Sequence, residues 1–201
     1  MQVSYHQFPS GKKYAYVQRA SGPVFLRNIV FLTNKTDRST IAIVHEWGKG
    51  QTRWEPPKGQ MEWKEFDDLE IAPNTKLPLE QLYTQMRKGI LREMKEESYI
   101  LPSEIHNFRR LPMFYEQDWP ESKVKGAKFM YQYWTAQIDE PTMLNAQKRI
   151  RNLVKDPDWK LLLPADLTEK DAIEWFNPEK GFQNIRAGFS QKMTRLYYDS
   201  L

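Results

Sequence analysis

Glu93, Glu96 and Glu97 stand three and four residues apart within Arg92-Glu93-Met94-Lys95-Glu96-Glu97. Residues at those spacings share one face of a helix, so the run crowds three carboxylates together. Like charges placed so closely repel one another unless a cation lies among them. Oxygen-only ligands suit a hard ion, Mg²⁺ or Mn²⁺, and such ions are usually bound along with substrate phosphates. Twenty-seven residues before Arg92 stands Glu65, which closes the run Gly59-Gln60-Met61-Glu62-Trp63-Lys64-Glu65. The pattern points to metal-assisted phosphate chemistry.

The elements that must position these groups follow from periodicity. Leu79, Leu82, Tyr83, Met86 and Ile90 recur at helical spacing after Pro78, which predicts a helix over about residues 79–98, weakened at Gly89. At about 100° per residue, Glu93, Glu96 and Glu97 fall in the arc of Leu82, Met86 and Ile90. A merely solvated acidic helix, with Lys88, Arg92 or Lys95 as partners, would turn its carboxylates away from that stripe. Here they face the protein body, where they need a metal or basic partners to stay charged. The inference requires a helix continuous through Gly89.

Residues 27–32 and 39–44 read as two strands of a hairpin, turned by Asn34-Lys35-Thr36-Asp37. Pro56-Pro57 ends any central strand there. Residues 66–78 read as an exposed excursion. Residues 113–115 and Lys128 to Ile138 read as strands, 142–155 as a basic helix, and 184–198 as a closing helix. Strands among helices without regular βαβ alternation predict an α/β fold, a sandwich with a mixed sheet.

These residues resemble the Nudix hydrolase signature, G-x5-E-x7-R-E-U-x-E-E-x-G-U, where U is a bulky aliphatic residue. Gly59 and Glu65 match its first half; Arg92, Glu93, Met94, Glu96, Glu97 and Ile100 match its second. The seven-residue spacer is replaced by Phe66 to Leu91, an insertion of about 19 residues placed at about 66–84, in a loop where closure is cheap. The signature glycine is Tyr99, where glycine normally supplies a left-handed helix cap. Trp54-Glu55-Pro56-Pro57-Lys58-Gly59 is similar to the lead-in of diadenosine tetraphosphate hydrolases and of decapping Nudix enzymes, including viral ones. Residues 169–176 resemble the acidic loop and Trp that often follow the later strand of that fold. The likeness covers roughly residues 28–182; the first 20 or so match nothing known.

The resemblance implies an α/β/α sandwich and a pyrophosphohydrolase dependent on Mg²⁺ or Mn²⁺. It implies that Glu93, Glu96 and Glu97 hold the divalent ions, with the Gly59 carbonyl as a further ligand. Arg92 would orient a carboxylate by a bidentate ion pair, and Glu65 would bind metal through water or support the loop. The general base lies in the helix or on a later loop, where Glu169 is the candidate and Glu116, Glu121 and Glu174 are rivals. Equally, Glu169 reads as an acid near a helix start capped by Thr168 or Asp166. Lys58 reads as a phosphate contact or a solvated lysine. Arg53, Trp54, Tyr115, Tyr131 and Tyr133 are candidates for stacking on a base, although strand aromatics more often fill cores. Lys148, Arg149, Arg151 and Lys155 would track an RNA backbone or form a solvated face. The implied substrates are a dinucleoside polyphosphate or the 5′ cap of mRNA, with diphosphoinositol polyphosphates as a third choice. A catalytically silent fold that binds nucleotide or RNA is the reading from another class.

Composition sets outer bounds. The chain has 201 residues, enough for one domain with a real core. With 40% hydrophobic and 28% charged residues it is ordinary for a globular protein. It has no apolar run long enough to span a membrane, and its N-terminus lacks the apolar core of a secretory signal. Zero cysteines exclude disulfides and fit a reducing compartment, so the expectation is cytoplasmic. A net charge of +4 favours polyanionic partners only slightly. The three histidines show no metal-ligand spacing, and oligomeric state is open.

Overall fold

A computed structural model describes residues 1–156 and 158–201. Along the chain run β1 (Gln2–Gln7), β2 (Lys13–Arg19), β3 (Gly22–Asn34), β4 (Ile41–Glu46), β5 (Trp54–Glu55), β6 (Lys58–Gln60) and β7 (Thr75–Lys76). Helix α1 (Leu79–Ser98) follows, then β8 (His106–Asp118), β9 (Lys128–Ile138), α2 (Glu140–Val154), α3 (Trp159–Leu162), β10 (Lys170–Phe176) and α4 (Phe189–Tyr198). The α/β class holds. Among the described residues no helix is long and apolar enough to cross a membrane.

Contacts divide the chain into two compact units: residues 1–29, 58–92 and 110–133, and residues 30–57, 93–109 and 134–201. The division falls inside α1, between Arg92 and Glu93.

In the first unit, β1 pairs antiparallel with β2, β2 with the start of β3, and β6 with β3 through Arg27↔Gln60, Asn28↔Gly59 and Ile29↔Lys58. The N-terminal residues that matched no pattern thus build the hairpin β1–β2. The expected exposed excursion is better anchored than its polarity suggests. Phe66 sits in a 3-10 turn and is buried, Leu77 is buried, and β7 pairs with β1. Two apolar side chains in a polar stretch were enough to tie it down. Gly89 is buried in α1, where an added Cβ would sit 3.5 Å from the Asn28 amide nitrogen, an ordinary contact. The helix passes through it unbroken.

In the second unit, β10 pairs antiparallel with β4 from Lys170↔Glu46 to Phe176↔Ile41, and β5 pairs with β4. All of these strand registers are antiparallel; a parallel bridge joins Trp54 to Ile185. β4 is buried from Ile41 to Val44, as a strand covered on both faces must be. Asp139 caps α2 by accepting from the Thr142 N–H at 2.9 Å, with Pro141 in its first turn.

Two expectations are corrected here. The closing helix begins at Phe189, not near 184. Ile185 and Arg186 are held beside Trp54, the Arg186 N–H donating to the Trp54 carbonyl at 2.8 Å. Gly188 then turns the chain at φ 86°, a conformation open chiefly to glycine. The segment directly after Thr168 is strand β10 rather than a helix start, because its residues pair along β4.

Candidate active site

Helix α1 runs over Leu79–Ser98, the span its periodicity predicts. Leu82, Met86, Ile90 and Met94 are buried along it, Glu97 is buried with them, and Glu93 and Glu96 are half-buried. The acidic residues therefore share the inward arc. Tyr99, standing where a glycine is expected, takes the left-handed conformation itself, with φ 58°. That costs an L-residue roughly 1–2 kcal/mol. Two contacts offset it: the Tyr99 hydroxyl donates to the Leu167 carbonyl, and Arg149 Nη1 donates to the Tyr99 carbonyl at 2.8 Å. The same Arg149 forks onto Glu104 at 2.6 and 2.7 Å, so this member of the basic run is a strut. Lys148, Arg151 and Lys155 are exposed.

In the first unit, Arg92 Nε donates to Glu65 Oε1 at 2.7 Å, and Glu65 Oε2 accepts the Glu62 N–H at 2.6 Å. Arg92 Nη2 also lies 3.9 Å from Glu62. Burial pushes the Glu65 carboxyl above its ordinary range, with the Arg92 guanidinium working the other way. Both oxygens of the Glu65 carboxylate are thus engaged within the motif. Lys58 and Gly59 lie in β6 against Ile29 and Asn28. Tyr133 is fully buried in β9. It is a core side chain and cannot stack on a substrate; a strand aromatic facing inward packs there instead. Tyr131 is buried likewise, and Arg27 lies over its ring.

In the second unit, sequence reasoning missed a buried lysine that meets two carboxylates. Lys170 Nζ lies 3.0 Å from Glu97 Oε1 and 3.0 Å from Glu55 Oε1. Lysine, Glu55 and Glu97 are 4%, 1% and 4% exposed. Glu55 Oε2 accepts from Ser190 Oγ at 2.9 Å and lies 3.7 Å from Arg186 Nη1, which also approaches Glu46 at 3.5 Å. Burial works against the ammonium, but Glu97 and Glu55 outweigh it and hold the Lys170 pKa above its ordinary value. Lys170 is 115 residues from Glu55, and nothing local announces the pair. Glu55 alone left a trace, inside the lead-in Trp54 to Gly59.

Glu169 is exposed, and its carbonyl accepts the Trp47 N–H at 2.8 Å. Glu174 is exposed too. Arg53 lies 4.0 Å from Glu46. Trp54 is half-buried, its ring centroid 4.9 Å from that of His45, whose Nδ1 is 2.6 Å from Asp171. Trp54, Gln147, Arg151, Asp171, Ile173 and Glu174 line a cavity of about 420 Å³, a volume suited to a small ligand. Side chains alternate along a strand, so Trp54 points away from the face on which Glu55 meets Lys170. Of the rivals for the base, Glu116 is tied to Arg19 at 2.7 Å, and Glu121 is exposed.

Among the described residues, no three His, Asp or Glu side chains converge as a metal cage. Mg²⁺ does not need one: one or two carboxylates commonly hold it, with waters and substrate phosphates completing its shell. Glu93 and Glu96, half-buried on one helix face, fit that donor chemistry.

No family model matches the chain, and no curated protein matches it. Solved structures do. The chain is similar to a NUDIX hydrolase from Nitrosomonas europaea, at 15% identity and a TM-score of 0.45 over 88% of this chain and 90% of that one. It is similar to a C. elegans Ap4A hydrolase in a binary complex, at 13% identity and a TM-score of 0.41 over 89% of this chain and 100% of that one. It is also similar to the C-terminal domain of mouse MUTYH, solved with human PCNA, at 15% identity and a TM-score of 0.43 over 88% of each chain. At such identities the side chains, not the likenesses, decide what the site does.

Proposed function

We propose that this chain is a Nudix-type hydrolase that cleaves a pyrophosphate bond in a nucleoside-diphosphate-linked substrate with the help of Mg²⁺ or Mn²⁺. The observation that carries the reading is α1: an unbroken helix that turns Glu93, Glu96 and Glu97 into its buried arc. Carboxylates are not gathered on an inward face for solubility. The left-handed Tyr99 supports activity over a silent binding module, because the helix end survives the loss of the signature glycine.

Glu93 and Glu96 would hold the divalent ion. Such an ion, when bound, lowers the pKa of an attacking water and neutralises the phosphate leaving group. The protein's own residues do the rest. The Tyr99 and Arg149 contacts fix the end of α1 and so the angle at which its carboxylates are presented. The Arg92–Glu65 pair holds the loop after Gly59. A half-buried or exposed carboxylate must take the water's proton, and Glu93, Glu96 and Glu169 are candidates with the exposure to do so. The substrate is a dinucleoside polyphosphate or capped RNA, and the setting is a reducing compartment such as the cytoplasm. Salt separates the two substrates: contact with a long RNA weakens steeply as salt rises, contact with a small nucleotide much less.

The test is a panel of diadenosine tetraphosphate, cap-labelled RNA and a diphosphoinositol phosphate, each with Mg²⁺ or Mn²⁺, beside Glu96→Gln. Cleavage of one class that the variant loses identifies the enzyme and its substrate. Nucleotide or RNA binding with no cleavage in either metal would make the chain a binding module.

A further inference from the structure

Arg27, in the first unit, is a half-buried cation held by neutral partners. Its Nη1 donates to the Tyr131 hydroxyl at 3.1 Å and its Nη2 to Gln60 Oε1 at 3.3 Å. The ring centroids of Phe129, Trp119 and Tyr131 lie 4.5, 5.1 and 5.6 Å from its Cζ. Among the described residues it makes no ion pair with a carboxylate. Two donors are left over: Arg27 Nε and Gln60 Nε2 are buried, and neither meets an acceptor among the described residues. In a guanidinium the Nε–H runs parallel to one Nη2–H, so the spare donor lies on the edge that Nη2 turns to Gln60.

Arg27 and Gln60 stand directly opposite each other across β3 and β6, so their side chains share one sheet face. Asn28, the next residue, points the other way, where an added Cβ on Gly89 of α1 would meet its amide nitrogen at 3.5 Å. The two unmet donors thus belong to cross-strand neighbours on the face turned away from Gly89. A buried N–H without an acceptor is costly, and a half-buried cation without a counter-charge adds to that cost. Ring faces favour the cation but offer no lone pair to an N–H. A water would satisfy the donors and leave the charge. An oxyanion answers both, since its oxygens accept from the Nε–H and the amide while its charge opposes the guanidinium.

We propose that Arg27 and Gln60 form an oxyanion-binding site framed by Phe129, Trp119 and Tyr131, and that a phosphate group of the nucleotide substrate occupies it. The site rests on the two donors and the arginine charge; only the source of its phosphate rests on the hydrolase reading above.

Calorimetric titration of the purified full chain in EDTA tests it, so that no metal bridges the ligand to a carboxylate. The probes are inorganic tripolyphosphate, β,γ-methylene-ATP and adenosine, on wild type, Arg27→Met and Gln60→Met. Methionine keeps an apolar stem among the rings and removes the donors. Wild type is expected to bind both polyphosphates and not adenosine. Arg27→Met is expected to weaken both by about tenfold or more, and Gln60→Met by roughly threefold. A wild type that binds neither polyphosphate would overturn the proposal, as would a folded Arg27→Met that binds them within about twofold of wild type. Should Arg27→Met fail to fold, an unchanged affinity in Gln60→Met would overturn it alone. Adenosine binding that needs Arg27 would make the site a base reader and overturn it too. If tripolyphosphate needs Arg27 and the ATP analogue does not, the assignment to substrate fails. Hydrolysis is read separately with Mg²⁺ or Mn²⁺. No cleavage beside Arg27-dependent anion binding would sink the hydrolase reading and leave the anion site standing, whereas cleavage with the same KM in Arg27→Met would sink this inference only.

Discussion

The two units each set a buried glutamate against a basic side chain, and they do it differently. In the first, Arg92 meets Glu65 through Nε, and the second carboxylate oxygen takes a backbone N–H from Glu62. In the second, Lys170 divides one ammonium between Glu55 and Glu97. The planar guanidinium is rigid and cannot lose its proton; it locks a loop to a helix within one motif. The ammonium is a compact point charge with three donors, able to bridge carboxylates that approach from different elements. The arginine pair is local reinforcement. The lysine cluster joins parts of the chain more than a hundred residues apart, so its loss should cost more.

The largest effect should come from Lys170→Met. It removes the ammonium that Glu55 and Glu97 share in the interior, and breaking a buried pair of this kind typically costs about 3–5 kcal/mol. Urea unfolding at neutral pH would measure it, and a loss below about 1 kcal/mol would place the cluster on a par with a surface pair. Arg92→Lys sharpens the comparison from the other side. It keeps the charge but loses the planar donor geometry at Glu65, and a charge-assisted bond of this sort is worth about 1.5–3 kcal/mol. If Arg92→Lys proved the costlier of the two variants, the contrast between the units would be reversed.

Tyr99→Phe removes the hydroxyl that reaches Leu167 and leaves the left-handed backbone in place. A cost of about 1 kcal/mol in thermal unfolding is expected; no change would mean that the Arg149 contact alone holds the helix end.

The smallest effect is electrostatic and tests an exposed counterpart of the buried clusters. Arg149 holds the Glu104 carboxyl below its ordinary range, chiefly by hydrogen bonding. A depressed folded pKa stabilises the fold above the unfolded value, near 4.3, and the gain is lost as pH falls through the lower folded value. The pair is partly open to solvent, so the wild type should lose under about 1 kcal/mol from it in that window. Glu104→Gln should flatten that part of the pH–stability curve. An identical acid limb in the variant would show that the pair contributes nothing.

What was legible in the chain follows from separation along it. The α1 span, the β9 span and the strand–turn–strand of β3 and β4 are written in periodicity and turn residues, and local pattern suffices for them. The Arg92–Glu65 pair was readable because a motif links the two residues. Lys170 was not, since a lysine flanked by Glu169 and Asp171 reads as a solvated charge until β10 is laid against β4. Glu169, favoured by sequence, is the exposed neighbour; the buried Lys170 beside it carries the ion pairs. Tyr133 misled for a related reason, because aromatic identity says nothing about which strand face is covered. Tyr99 looked like a defect in the motif, and the structure shows the same backbone conformation reached by a tyrosine with two partners.

The most direct test of the central claim is hydrolysis in ¹⁸O-labelled water, with the phosphate products read by mass spectrometry. The account predicts one ¹⁸O in a single phosphate product for each bond cleaved, in the presence of Mg²⁺ or Mn²⁺, and its disappearance in Glu96→Gln. Product without label, or label that persists unchanged in Glu96→Gln, would contradict it.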